Sequence, residues 1–328
     1  MNAPGFWDDQ ARAARVGAEQ ARVSRRLESY RRLRQEYDDA RELHGLDGGE
    51  MEGELAAVLA PLHSEIAELQ ESALFEGEYD AGDAVVTLQS GTGGTDAQDW
   101  AEMMLRMYER WAQNRKFKVE LLEASPGEEA GLKSATFTVG GENAYGILKA
   151  ERGKHRLVRL SPFDQAHRRH TAFSTVIVAP LLPDDADVEI DEGDLKIDTY
   201  RAQGAGGQHV NKTDSAVRIT HLPTGIVVAI QNERSQSANK QTAMRVLKSR
   251  LVERQEAERE ALLAQERGGS ADTGFGGESV RSYVLHPYQM VKDSRTGYEM
   301  GNAQAVLDGE LDPFIREYLL ARAAGRTV

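Results

Sequence analysis

Arg201-Ala-Gln-Gly-Ala-Gly-Gly-Gln-His-Val-Asn-Lys212 is the stretch on which the organisation of this chain turns. Ala202, Gly204, Ala205, Gly206 and Gly207 have no bulky side chain, so a partner can approach the backbone closely. Glycine also tolerates φ > 0, where other residues are strained. The alternating segments Leu195 to Tyr200 and Ala216 to Thr220 flank the stretch and predict two strands. The pattern is a loop tip held between strands, with the amide side chain of Gln208 at its apex. Taken alone, it also fits an ordinary flexible hairpin loop. It is not a phosphate loop, because no Gly-Lys-Ser/Thr follows and no Gly-x-Gly-x-x-Gly runs into a helix.

The chain has 328 residues, enough for roughly two or three domains with sizeable cores. It has no cysteine, which excludes disulfides, thiolate metal sites and cysteine nucleophiles, and fits a reducing cytoplasm. No apolar run approaches ~18 residues and no signal-peptide core opens the chain. A soluble cytoplasmic protein without membrane contact is expected. The net charge of −13 argues at first against a nucleic-acid partner. Its distribution argues otherwise. Residues 1–80 hold 9 Arg and no Lys against 18 acids, a net of −9. Residues 145–174 hold 7 cations against 2 acids (+5), and residues 201–250 hold 8 against 2 (+6). An acidic front with two basic heads is compatible with docking on RNA.

The first 75 or so residues read as helical. Val23, Leu27, Tyr30 and Tyr37 recur at spacings of three, four or seven, as do Leu55, Leu59, Leu62, Ile66 and Leu69. His44-Gly-Leu-Asp-Gly-Gly49 separates the two runs, and Pro61 predicts a kink in the second. A coiled-coil hairpin serving packing or partner contact is the expectation. From Ala84 the pattern turns to strands. Gly91-Thr-Gly-Gly-Thr-Asp-Ala-Gln98 follows the first, and Thr95-x-x-Gln98 predicts a capping box opening a helix. Trp100, Met103, Met104, Met107 and Trp111 form that helix's core face, and its glycine-rich approach suits a polar or anionic ligand. Strands are expected at Phe117 to Leu122, Ala135 to Val139 and Phe173 to Ala179.

Between them lies the basic segment Lys149 to Arg159, ending in Ser161-Pro162-Phe163-Asp164 and then Arg168-Arg169-His170-Thr171. Alone, Ser-Pro-Phe is an ordinary turn. Flanked by two basic clusters it reads as a rigid loop presenting a hydroxyl and a ring beside an RNA-binding face. His167 and His170 have an i, i+3 spacing, but the intervening arginines oppose metal binding, and no metal or other cofactor is expected. His170 reads as a flat ring for stacking on a base. The acidic stretch Asp184 to Asp187 is a linker candidate. Further on, Ile226 to Ile230 predicts a strand, and an amphipathic helix from near Ala238 toward Glu266 carries Ala243, Leu247 and Leu251. The glycine-rich span Gly268 to Gly277 ends it, and a last helix is expected around Phe314, Ile315, Tyr318 and Leu319. The fold class expected is α+β, a helical hairpin followed by two β-rich α+β domains.

Gly206-Gly207-Gln208 within its flanking residues resembles the signature of the class I bacterial peptide chain release factors. The likeness continues through Ser215 to Val228 and Gln231 to Gln236, and Ser161-Pro162-Phe163 resembles the tripeptide of the UGA/UAA-reading type. It covers roughly residue 5 to the end. Gln203 departs from the small hydroxyl residue expected there, and Asp96 from a glutamate, keeping the charge but shortening its reach. The resemblance implies four parts: a helical domain at 1–75, codon recognition at 76–187, catalysis at 188–280, and a C-terminal segment at 281–328 packing on the codon domain. It also implies roughly one more helix before Phe6-Trp7-Asp8-Asp9. A programmed frameshift that left only the downstream frame would account for its absence, and so would a naturally short start.

Further roles are implied by the same likeness. Gly94, Thr95 and Asp96 at the helix tip would read the first uridine. Ser161, Pro162 and Phe163, backed by His170 and Thr171, would read the second and third bases. Gly206, Gly207 and Gln208 would act on the peptidyl-tRNA ester, with the backbone N–H of Gln208 on the oxyanion and Gln208 carrying an N5-methyl group. The implied partners are the ribosome and its RNA, the stop codon of messenger RNA, peptidyl-tRNA, a glutamine methyltransferase and the class II release-factor GTPase. The loop holds no serine, cysteine or carboxylate, Ser215 lies beyond it, and His209 is an alternative general base that the family does not use. A translation factor rather than a free-standing enzyme is expected. Two rival readings remain open: a codon-independent rescue hydrolase, opposed by the chain's length and Ser161-Pro162-Phe163, and a non-catalytic RNA-binding adaptor.

Overall fold

A computed structural model describes residues 10–46, 52–75, 77, 79–182, 190–200, 215–233, 235–266 and 279–324. The Gly206-Gly207-Gln208 tip, Phe6 to Asp9, the acidic stretch 184–187 and the glycine-rich span 268–277 lie outside the described residues. The chain divides into two units, residues 1–75 and 76–328.

In the first unit, α1 (Gln10–Leu46) packs on α2 (Glu52–Ala73), and helix α2 includes Pro61. Arg32 pairs with Glu65 across the two helices. These two residues lie nearly equally far from the facing ends of the two helices, which is the register of an antiparallel hairpin. Leu33, Ala40 and Leu62 are buried. Val23, Leu27, Tyr30 and Tyr37, the stripe that marked the helix in the sequence, stay exposed.

The second unit is α+β, as expected. Its elements run β1 (Ala84–Ser90), α3 (Thr95–Asn114), β2 (Lys118–Pro126), β3 (Leu132–Gly140), α4 (Ala144–Leu148), β4 (Gly153–Leu160) and β5 (Arg169–Pro180). Next come β6 (Leu195–Tyr200), β7 (Ala216–His221), β8 (Ile226–Ile230) and α5 (Gln236–Glu266). The chain closes with β9 (Arg281–Val284), β10 (Met290–Asp293), β11 (Glu299–Met300), α6 (Ala303–Leu307) and α7 (Asp312–Ala323). Among the described residues the strands form two sheets, ordered β11-β10-β9-β4-β5-β1-β3-β2 and β6-β7-β8. Their pairings are antiparallel except β4 with β9, which is parallel.

Helix α3 covers one face of the larger sheet with Trp100, Met104, Met107 and Trp111, all buried. Helix α5 packs on β7 and β8 and reaches the opposite face of the larger sheet. Ala243, Val246, Leu247 and Leu251 there share one core with Val85, Leu122 and Ala179. Arg250 crosses the same seam, its Nη2 donating to Thr87 Oγ1 at 2.7 Å and Thr136 Oγ1 at 3.3 Å.

The basic run Lys149 to Arg159 proves to hold a strand, β4, whose alternate residues His155 and Leu157 are fully buried under α3. Its neighbour β9 comes from far along the chain and is tied down by charge. Arg281, fully buried, donates to Glu151 at 2.6 and 2.7 Å and to Asp293 at 3.2 Å. Arg295 closes the group on Asp293 at 2.8 Å. Burial alone would raise the Glu151 carboxyl, but the Arg281 guanidinium beside it holds it below its ordinary value. The His155 imidazole is pushed down to about 4 by burial, against the opposing pull of Glu151. No helix among the described residues is long and apolar enough to cross a membrane.

Candidate functional site

The turn from β4 to β5 carries Ser161-Pro162-Phe163, and three kinds of bond shape it. Ser161 N donates to Arg168 O at 3.0 Å, closing the base of the loop. The Ser161 hydroxyl accepts from the backbone N–H of Phe163 and of Asp164, each at 3.2 Å. Its own proton goes to Asp96 Oδ2 at 2.6 Å. Ser161 is therefore buried, at 1% exposure, with its hydrogen-bonding capacity in use. Phe163, by contrast, stands 41% exposed with the Arg159 guanidinium 5.9 Å from its ring centre.

Asp96 lies in the first turn of α3 and is the hub of the site. Besides Ser161 it takes Arg159 Nη2 at 3.0 Å and faces His170 Nδ1 at 3.3 Å. Arg159 also reaches Asp99 at 2.6 Å. The sequence placed the Asp96 charge at a helix tip open to ligand. In the structure the carboxylate turns inward and is 5% exposed, because Arg159 near the end of β4 and Ser161 just beyond it both donate to it and the His170 ring from β5 lies beside it. The outer side of the loop has its own anchor. Asp164 accepts from Arg168 Nε at 2.7 Å, Ala166 N at 3.1 Å and His170 Nε2 at 3.1 Å. The bond from Arg168, and after it the Ala166 N–H, hold the Asp164 carboxyl well below the usual carboxylate range.

His170 thus lies between two carboxylates, its side chain 38% exposed. Thr171 is exposed on the next position of β5, and strand alternation sends it to the opposite face from His170. The structure gathers Asp96, Ser161 and His170 and leaves Thr171 outside that cluster.

The approach to α3 departs from a capping box. The N-cap is Gly94 at φ +59, without a side-chain bond to the helix. Thr95 Oγ1 donates instead to Glu129 at 3.1 Å, and Gln98 Oε1 accepts from Glu128 N at 3.1 Å. Both side chains are drawn sideways to the β2–β3 turn, whose own amide needs a partner. Gly93, at φ +137, lets the chain pass so close to β5 that a Cβ would lie 3.0 Å from Ala172 Cα. The helix tip and the 161–168 loop are thereby pinned side by side.

Arg159, Asp99 and Asp164 were not singled out as site residues from the sequence. The Asp164/Arg168 spacing of four was the available signal, but in a turn it indicates nothing without coordinates.

Comparison with known proteins agrees with this architecture. The PCRF domain family matches residues 1–176 and the RF-1 domain family residues 184–295. Peptide chain release factor 2 of Thermomicrobium roseum is 52% identical over 323 residues, covering 98% of this chain and 86% of that protein. The protein of the same name from Lactiplantibacillus plantarum is 48% identical over 330 residues, covering 99% and 87%. Among solved structures, RF2 of Thermus thermophilus superposes with a TM-score of 0.76 at 42% identity, covering 98% of this chain and 92% of that one. At such identity over nearly the whole length, the chain belongs to the peptide chain release factor 2 family of translation termination factors.

Proposed function

We propose that the chain reads UGA and UAA in the ribosomal A site and promotes hydrolysis of the ester joining the nascent peptide to transfer RNA. The observation that carries this reading is the single hydrogen-bond network joining the Ser161-Pro162-Phe163 loop to the tip of α3. Two segments that the resemblance assigns to neighbouring codon bases are held by one carboxylate, Asp96. The site also presents one exposed ring, Phe163, and a half-exposed imidazole, His170.

In this reading the first turn of α3, from Gly94 through Asp96, meets the first base with backbone donors. Ser161 meets the second base by exchanging its bond to Asp96 for one to the purine. Freed from Asp96, the hydroxyl can donate to the guanine carbonyl; to accept from the adenine amino group it also gives up one of the two loop amides it now accepts from. The exchange costs about one charge-assisted hydrogen bond, ~1.5–3 kcal/mol, which keeps the loop ordered until a codon competes. Pro162 restricts the loop backbone, Phe163 supplies an apolar wall, His170 stacks, and Thr171 contacts the third base.

Water then adds to the ester carbonyl, the bond to the ribose oxygen breaks, and the peptide leaves as an acid while the ribose regains its hydroxyl. Gly206 and Gly207 let the Gln208 backbone N–H approach the developing oxyanion, an effect worth about 10²–10³ in rate. The Gln208 side chain positions water. The remaining groups come from the ribosome and the substrate ribose, so the chain completes a site rather than being an enzyme by itself. Its setting is the cytoplasm. The division into helical (1–75), codon (76–187), catalytic (188–280) and C-terminal (281–328) parts, methylation of Gln208 by a glutamine methyltransferase, and contact with the class II GTPase belong to the same proposal.

Peptide release from ribosomes programmed with UGA, UAA and UAG tests it. Release on the first two alone is expected. Release regardless of codon would mark a rescue hydrolase, and binding without release an adaptor.

A further inference from the structure

The register of the larger sheet defines a second surface, away from the codon loop's own hydrogen bonds. Residues paired across strands share a face, and alternate residues along each strand return to it. Arg156 on β4 stands opposite Phe173 on β5 and Ser282 on β9, and Ser282 opposite Lys292 on β10. Lys154 lies two positions before Arg156, and Arg169 begins β5 four positions before Phe173. All of these point away from α3, whose side takes His155, Leu157, Tyr283 and Arg281.

This is the face that α5 covers over β1 and β3, through Arg250 on Thr87 and Thr136. Over β4, β9 and β10 no helix among the described residues covers it. Lys292 is 49% exposed and Arg169 is exposed, while Lys154, Arg156 and Phe173 are half-buried. No acidic residue occupies this face on β4, β5 or β9. The Arg156 Nε is held by Ser282 Oγ at 3.1 Å, which leaves the rest of its guanidinium for a partner. Among the described residues, only Lys292 of these four cations has a carboxylate beside it, Glu299 at 3.4 Å, and that pair is about half exposed and weak.

We propose that this open face binds the phosphate backbone of ribosomal RNA next to the decoding position, fixing the factor's orientation without reading sequence. Charge complementarity points to a polyanion. Four cations stand on a strand lattice of ~6.6 by ~4.8 Å, around an aromatic ring, in a chain whose net charge is −13. Phosphate contacts of this kind position a protein but carry no base specificity. The inference rests on the proposed ribosomal role.

The test uses the full chain with Lys154→Gln, Arg156→Gln and Lys292→Gln together, which remove charge but keep a polar, unbranched side chain. Affinity for ribosomes displaying UGA or UAA is measured across salt concentrations, together with release at saturating factor. The expected result is binding about 10-fold or more weaker at low salt, with the slope of log affinity against log salt reduced by about 2. Release at saturation and the UGA/UAA ratio stay unchanged, and Lys154→Arg with Lys292→Arg binds as the parent does. Unchanged affinity and slope would overturn the proposal. So would a loss independent of salt, which would indicate a protein partner, or a shift in codon ratio, which would place the effect in the codon loop. A parent chain that releases no peptide on either codon would instead refute the functional reading.

Discussion

Ser161 Oγ and Asp96 Oδ2 stand 2.6 Å apart, joining the loop that carries the Ser-Pro-Phe tripeptide to the first turn of α3. If codon binding exchanges this bond for one to the second base, then weakening it favours the codon. Asp96→Asn keeps the shape and removes the charge, replacing a charged acceptor by a neutral one worth roughly 1 kcal/mol less. The expected outcome is about a 5-fold lower half-saturating concentration on UGA, an unchanged maximal rate and a lower melting temperature. A higher half-saturating concentration would show that the carboxylate itself contacts the messenger.

Codon choice is expected to follow residues 161–163. Replacing them by a Pro-x-Thr tripeptide removes the hydroxyl at 161 and with it the acceptor for two loop amides. UGA release should weaken by ~1–3 kcal/mol while UAA release is partly kept. Release rates on the three stop codons measure this, and an unchanged UGA preference would refute it.

Gly207→Ala is expected to slow release by roughly 10²-fold or more with ribosome affinity nearly intact, because the proposed codon contacts lie elsewhere. Single-turnover release set beside a binding measurement separates the two. Lost affinity with normal turnover when bound would remove Gly207 from the catalytic loop's role.

Acid should loosen the second unit in two stages. Buried His155 takes a proton only near pH 4, whereas in the unfolded chain it does so near its ordinary 6.5. The unfolded state thus binds the proton first as pH falls. Stability is complete above ~6.5 and declines toward pH 4, by up to about 3 kcal/mol. Glu151 and Asp293 have lowered values, so their contribution is lost at still lower pH. Thermal melts between about pH 7.5 and 4.5 should slope downward for the parent and flatten in His155→Gln. Equal slopes would exclude His155 as the cause.

Much of this architecture was legible in the sequence where one period dominated. Of the expected α3 face, Trp100, Met104, Met107 and Trp111 are buried and Met103 is half-buried, while Ala243, Leu247 and Leu251 are buried on α5. Strand β4 was not legible, because its inward residues include His155, and a histidine in a basic run looks like surface. The Val23, Leu27, Tyr30 and Tyr37 stripe announced a helix but not which side of it the hairpin would bury. Within the candidate site, the resemblance named motif residues but nothing in the sequence showed their connections. Asp96 and Ser161 are 65 positions apart, and Arg281 and Glu151 are 130 apart. Local patterns carry no record of such pairs. Asp96 turned inward for the same reason, since its partners Arg159, Ser161 and His170 arrive from a distant hairpin.

The parallel join of β4 to β9 sets an order of events during synthesis. Arg156 and Ser282 are neighbours in the sheet but 126 residues apart in the chain, and the whole of β6, β7, β8 and α5 is made between them. While the ribosome is still building α5, β4 is an edge strand with its outer hydrogen bonds open, and Glu151 has no Arg281 to neutralise it. The larger sheet is therefore finished only when nearly all of the polypeptide has emerged. A nascent chain cut short before residue 281 would hold the Gly-Gly-Gln segment without a completed larger sheet, so under the proposed division of roles the ability to discriminate is acquired last.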